Sequence, residues 1–177
     1  LVGRAWQYMN IVLAWYVSDA EIGGFSAAKN LISLIGIFIA PISINIFPAF
    51  SMIESRDKSL IPDVFSKAIR LSQLFILPVI GYLLAYGSEV LKLIYGYKYG
   101  FAGIYIVLLS ISYILYPILV VDQGYFNGVG KTGNTLKTNL LFLLAVLVLA
   151  PPTVYLLRVS GGIIALAIAY ISSALYS

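Results

Sequence analysis

The sequence predicts an all-α, polytopic membrane protein folded as a six-helix transmembrane bundle, on three observations. Hydrophobic residues make up 61% of the chain and charged residues only 10%, against about 45–50% and about 25% in soluble domains. Mean hydropathy is +0.98. The apolar residues fall in runs long enough to cross a bilayer, because about 20 helical residues cover about 30 Å of hydrocarbon. Spans are expected at 1–17, 25–50, 71–87, 101–121, 139–157 and 161–177.

The first span holds Arg4 near one end and two tryptophans, with Asn10 near its middle. An amide in hydrocarbon is costly, so Asn10 is expected to face another helix rather than lipid. The turn SDAEIGG follows, and Gly23-Gly24 is expected to break the helix before Phe25. The second span carries no charge from Asn30 to Phe50, yet Lys29 sits just inside it. A lysine there either snorkels to the headgroups, the commoner outcome, or faces a polar cavity. Pro41 and Pro48 should kink or end this helix, and Ser43, Asn45 or a neighbouring helix must then satisfy the carbonyls they free.

Residues 52–70 are expected to be a polar loop, with an amphipathic helical approach over 63–70. The third span contains Pro78 and, one turn later, Gly81, so it should kink as well. Residues 88–100 mix Lys92 and Lys98 with three tyrosines and suit an interfacial hairpin. The fourth span is interrupted by Pro117 and closes on Asp122 and Gln123. The fifth ends near Pro151-Pro152, and the sixth is rich in alanine and serine, which permits close helix packing. The chain opens on Leu1 and ends inside an apolar run, so it reads as a fragment of a longer protein.

Several function classes are excluded. With neither cysteine nor histidine, the chain offers no disulfide, no thiol nucleophile and no usual zinc or haem ligand, so no cofactor and no metal are expected. Only Asp122 among the acids approaches the interior and no partner acid is in view, so the chain is not expected to be an enzyme. The loop around Gly130-Lys131-Thr132 hints at a phosphate-binding loop, but Tyr125 stands where that motif needs glycine and no strand precedes it. Nucleotide is therefore not an expected partner. The net charge of +4 does not imply nucleic acid either, because the basic residues are dispersed between spans.

The dispersion has a topological meaning. With residue 1 inside, Arg4, Arg56, Lys58, Lys67, Arg70, Lys131 and Lys137 lie on the inner side and Lys92, Lys98 and Arg158 on the outer. Cytoplasmic loops hold the excess of Lys and Arg, so the first residue is expected in the cytoplasm. Proline kinks in four spans, with polar groups at depth, suit a bundle that opens and closes around a pathway. Membrane lipids are the obligatory surroundings.

The succession YVSDAEIGGFSAAKNL, PISINIFPAFS, ILPVIGYLLAYGSEVLKLIYGYKYGFAGIYIVLL, FNGVGKT and SGGIIALAIAYISSAL resembles the C-terminal half of the multidrug/oligosaccharidyl-lipid/polysaccharide exporter superfamily. Within it the resemblance is nearest to the polysaccharide biosynthesis, lipid-linked oligosaccharide flippase branch, and it covers essentially the whole chain. It implies two six-helix lobes, the N-terminal one absent here. It also implies a central cavity whose cations hold the pyrophosphate of a polyprenyl-linked sugar, in the plasma membrane. On that reading Lys29 is the first substrate-binding candidate, with Asn10, Asn45, Asp122 and Gln123 as further polar candidates and Pro41, Pro48, Pro78 and Pro117 as kinks. Members of this kind often carry an acid near the position of Asn10, and that departure weakens ion coupling there. A drug/cation antiporter of the same superfamily and a non-transporting membrane scaffold are the alternatives.

Overall fold

A computed structural model describes residues 2–176, except for the side chains of Val2, Gly3, Arg4, Ala40 and Ser43. The expectations for Arg4 and Ser43 therefore lie outside the described residues. All regular structure in that range is helical: α1 Val2–Tyr16, α2 Asp19–Ser33, α3 Ile35–Arg56, α4 Ile61–Tyr95, α5 Gly103–Ser112, α6 Tyr116–Gly128 and α7 Thr132–Tyr176. Short 3-10 turns at Lys58–Leu60, Tyr97–Ala102 and Tyr113–Leu115 join some of them.

Three boundaries differ from the sequence expectation. The Gly23-Gly24 pair does not break the chain, because α2 starts earlier, at Asp19. Ser18 and Glu21 form a reciprocal capping box: the Ser18 hydroxyl accepts from the Glu21 amide, and the Glu21 carboxylate accepts from the Ser18 amide at 3.1 Å. Two of the orphan donors at the helix start are thereby satisfied. Gly24 serves packing instead, since a Cβ there would lie 2.8 Å from the Phe101 ring. The actual interruption is at Leu34, between α2 and α3, and Pro41 and Pro48 both lie inside α3 without ending it.

The expected polar loop over 52–70 is mostly helix. Only Asp57 is extended, and the Ser59 hydroxyl and amide donate to its carboxylate, which lowers its pKa. Ion pairs Glu54–Lys58 and Asp63–Lys67, each 2.7 Å and each four residues apart, line up opposite charges along the flanking helices. The apolar side chains of 63–70 pack on protein: Val64, Phe65, Ala68 and Ile69 close on Ile46, Phe50 and Val121. The expected hairpin at 88–100 is also absent, because α4 continues to Tyr95 and turns at Gly96, whose φ of 93° suits glycine.

The last helix is two arms. Arg158, with φ 54° and ψ −136°, interrupts α7, and the arms return antiparallel. Phe142 and Tyr170 stack at 4.9 Å, and the Ser173 hydroxyl reaches the Thr138 carbonyl at 3.5 Å. Near the turn, Gly161 meets the Thr153 carbonyl so closely that a side chain has no room. Helix α1 runs parallel to the first arm, tied by Tyr8 Oη donating to the Leu147 carbonyl at 3.3 Å and by the Tyr16–Tyr155 rings at 5.9 Å.

These contacts sort the charges. One end of the bundle gathers Phe50, Phe65 and Tyr125, with Lys58 and Lys131 nearby in the chain. The other holds the Glu21–Arg158 ion pair, with Asp19 beside Lys98 and Tyr99. Between them lies one continuous apolar core that includes Met9, Leu13, Phe25, Ile32, Ile80, Ile106 and Phe142. Four helical stretches are long and apolar enough to cross a bilayer: Asp19–Ile39, Lys58–Tyr95, Tyr97–Gly128 and Thr132–Tyr176. The last contains both arms. The protein is thus an all-α, multi-pass membrane protein.

A candidate substrate-facing surface on α1 and α2

Lys29 occupies the middle of the apolar stretch Asp19–Ile39, nearly three turns into α2 rather than one turn past a helix start. Its side chain is half-buried, and Nζ lies 5.3 Å from the centre of the Trp6 ring. Trp6 is only 8% exposed and packs on Phe25 at 6.0 Å. A cation over an indole face gains roughly 0.5–2 kcal/mol, the larger values when water is excluded. That is too little to desolvate an ammonium fully, so the group keeps access to something polar. Among the described residues the ion pairs are Glu54–Lys58, Asp63–Lys67 and Glu21–Arg158, and Lys29 is in none of them.

Polar neighbours on the two helices extend the surface. One turn along α1 from Trp6, Asn10 is half-buried, and its Oδ1 is buried with no hydrogen-bond partner among the described residues. Gln7 on α1 and Asn30 and Ser33 on α2 are exposed. The Ser33 hydroxyl is used locally, donating to the Asn30 carbonyl at 2.7 Å. Amides and an ammonium presented to hydrocarbon cost several kcal/mol apiece, on the order of the transfer penalty for unpaired polar groups. A face of this composition in the middle of a span therefore looks onto water or onto other protein.

The remaining candidates are dispersed. Asn45 is exposed on α3, its amide donating to the Pro41 carbonyl at 2.6 Å. It does not reach the carbonyls of Ile37 and Ile44, the ones that Pro41 and Pro48 deprive of a helical donor. Asp122 is buried within α6 at 2% exposure. Its neighbour Gln123 donates to Asn139 on α7 at 3.3 Å, stitching the two helices together. Pro78 lies exposed inside α4, and Pro117 sits in the first turn of α6, where a missing amide costs nothing. Of the five candidates, Lys29 and Asn10 are the two carried by α1 and α2.

Two participants escaped the sequence reading. Trp6 entered only as one of the two tryptophans of the first span, although a tryptophan and a lysine on successive antiparallel helices are a signal for such a pair. Arg158 appeared only as an outer-side cation, yet it pairs with Glu21 at 2.6 Å across 137 positions of sequence.

Fold and composition together define a multi-pass membrane protein, with Lys29 at the middle of one apolar stretch. The chain belongs to the polysaccharide biosynthesis protein family, whose pattern matches residues 5–104, more than half of it and the part that contains Trp6, Asn10 and Lys29. It is also similar to the probable low-salt glycan biosynthesis flippase Agl15 of Haloferax volcanii, with 18% identity over 170 residues. That alignment covers 95% of this chain and 36% of the relative, so the chain spans about a third of the relative's length. No solved structure matches the chain. The family and the flippase-named relative are consistent with a chain that is not an enzyme.

Proposed function

We propose that the chain is one six-helix lobe of a flippase that moves a lipid-linked oligosaccharide or polysaccharide precursor across the plasma membrane for cell-surface glycan synthesis. The observation that carries this reading is Lys29, half-buried at the middle of an apolar stretch, with Asn30 and Ser33 on the same helix and Gln7 and Asn10 on α1. A pyrophosphate cannot cross hydrocarbon uncompensated, whereas a cationic, water-lined surface lets the headgroup cross while the polyprenyl tail stays in the bilayer. Lysine suits a moving anion because it binds as a point charge without a fixed fork geometry. The name of the Haloferax volcanii relative agrees in kind.

On this reading a second, N-terminal lobe faces α1 and α2 and closes the cavity, and residue 1 lies in the cytoplasm. Trp6 positions the Lys29 ammonium, Asn10 is a further polar group of α1, and the prolines of α3 and α4 shape the moving helices. Asn45, Asp122 and Gln123 stand outside this surface and act on helix packing instead. The test is reconstitution of the full-length protein in vesicles with a fluorescent lipid-linked oligosaccharide in one leaflet. Protein-dependent transfer to the other leaflet is expected. Drug or cation exchange without lipid transfer would assign the protein to the antiporter class, and neither activity would leave it a scaffold.

A further inference from the structure

Beside the seam where α3 packs on α4, a groove of about 430 Å³ lies open between the two helices. Pro41, Ile46 and Ala49 wall one side and Ala68 and Leu71 the other. The two prolines of α3, Pro41 and Pro48, lie along this stretch. From Pro41 to Ala49 the groove runs about 12 Å at a helical rise of about 1.5 Å per residue. It leads from the middle of α3 toward the end where Phe50, Phe65 and Tyr125 cluster.

One cation lines the groove. Lys67 lines the groove with its stem while its side chain stays 73% exposed, held 2.7 Å from Asp63 one turn back. Side chains on a helix lean toward its N-terminus, so Lys67 and Arg70 on α4 both tilt toward the end that holds Lys58. An ammonium has three donors, and one carboxylate leaves some of them open. Arg70 is exposed and belongs to no ion pair among the described residues. Arg70 lies three residues beyond Lys67 on α4 and outside the groove's lining; counted with Lys67 and Asp63 it leaves this stretch of α4 with one positive charge in excess. Asn45, the other polar residue in the lining, is already engaged with the Pro41 carbonyl.

We infer that this groove holds one anionic phospholipid of the bilayer, with a hydrocarbon chain between α3 and α4 and its phosphate on Lys67 and Arg70. A packed protein segment would fill the channel but leave the surplus charge; a phospholipid supplies both the chain and the counter-charge. The site is separate from the Lys29 surface and does not depend on the transport reading.

The experiment measures lipid carried by the purified protein after exchange in mild detergent with equal amounts of phosphatidylglycerol and phosphatidylcholine, by native mass spectrometry. Wild-type protein should retain phosphatidylglycerol over phosphatidylcholine by about fivefold or more, the attraction expected for one basic residue near a phosphate. Lys67→Gln with Arg70→Gln should remove the preference, and both positions are exposed, so the fold should persist. Ala49→Phe keeps the charges but fills the channel, and it should abolish retention of both lipids in protein that still elutes as a single folded species. Equal retention of the two lipids by wild type, or a preference that survives Ala49→Phe, would overturn the inference. So would displacement of phosphatidylglycerol by equimolar polyprenyl phosphate, which would make the groove part of the substrate path.

Discussion

Arg158 is the position where two energies of similar size oppose each other, and substituting it separates them. At φ 54° and ψ −136° it is the only non-glycine residue with positive φ among the described residues. A side-chain-bearing residue in a conformation that glycine favours costs about 1–3 kcal/mol. In return its guanidinium holds Glu21 at 2.6 Å, but the side chains are 61% and 22% exposed, and a pair so open to solvent contributes about 0–1 kcal/mol. Arg158→Ala loses the pair and keeps the strain. Arg158→Gly loses the pair and the strain, but it restores chain entropy to the unfolded state, which costs about 0.4–1 kcal/mol. Strain relief wins, so the glycine variant should be more stable than the alanine variant by about 1–2 kcal/mol. Thermal midpoints of both variants, purified in the same detergent, test the ranking. An alanine variant as stable as the glycine one would show that the backbone at the α7 turn is unstrained.

Other consequences can be checked on the same protein. Gly161→Ala forces a methyl group against the Thr153 carbonyl, a backbone atom that cannot move without opening the hairpin, so it should cost at least the about 1–3 kcal/mol of an overpacked core. Gly81→Ala, with open space around it, should be neutral or stabilising by up to about 1 kcal/mol; equal melting of the two variants contradicts the close pass. Pro41→Ala and Pro78→Ala each restore an amide inside a helix, so thermal stability should rise, by up to about 3 kcal/mol, while flipping slows; unchanged flipping in both would leave the prolines as tolerated kinks. The chain has no cysteine, which permits labelling without background. Cysteines at Ser59, which is exposed, and at Asn134 should react from the cytoplasm, and one at Tyr97, 89% exposed, from the outside; the opposite pattern reverses the orientation. Ser88 is a poorer probe of the outer end, because its hydroxyl donates to Gly100 and the residue is half-buried.

The membrane class was legible because it follows from composition and run length, which tertiary contacts do not alter. Helix ends were less legible, and Gly23-Gly24 shows why. Glycine's cost in a helix is about 1 kcal/mol; the Ser18–Glu21 capping box repays about as much, and the close pass at Phe101 rewards the missing side chain. The four-residue pattern was in the sequence, but the glycine pair is the louder signal to a reading that goes residue by residue. Charge in the 52–70 region misled in the same way, since ion pairs four apart are a helical signature as much as a loop one. Lys29 stood out because a cation in an apolar span is rare. Its contact with Trp6 depends on how α1 meets α2, and the groove at Lys67 depends on how α3 packs beside α4. Neither distance is written in local sequence.

The central claim rests on the charge of Lys29, and the most direct measurement is the rate of lipid-linked oligosaccharide flipping by Lys29 variants of the full-length protein in vesicles, normalised to folded protein. A hydrogen bond to a charged group contributes about 1.5–3 kcal/mol, so Lys29→Ala should slow flipping by at least about tenfold. Lys29→Arg keeps the charge and should retain part of the rate, and Lys29→Glu, which repels the same phosphates, should be the slowest. A wild-type rate in Lys29→Ala would contradict the account and leave the lysine as a side chain resting on Trp6.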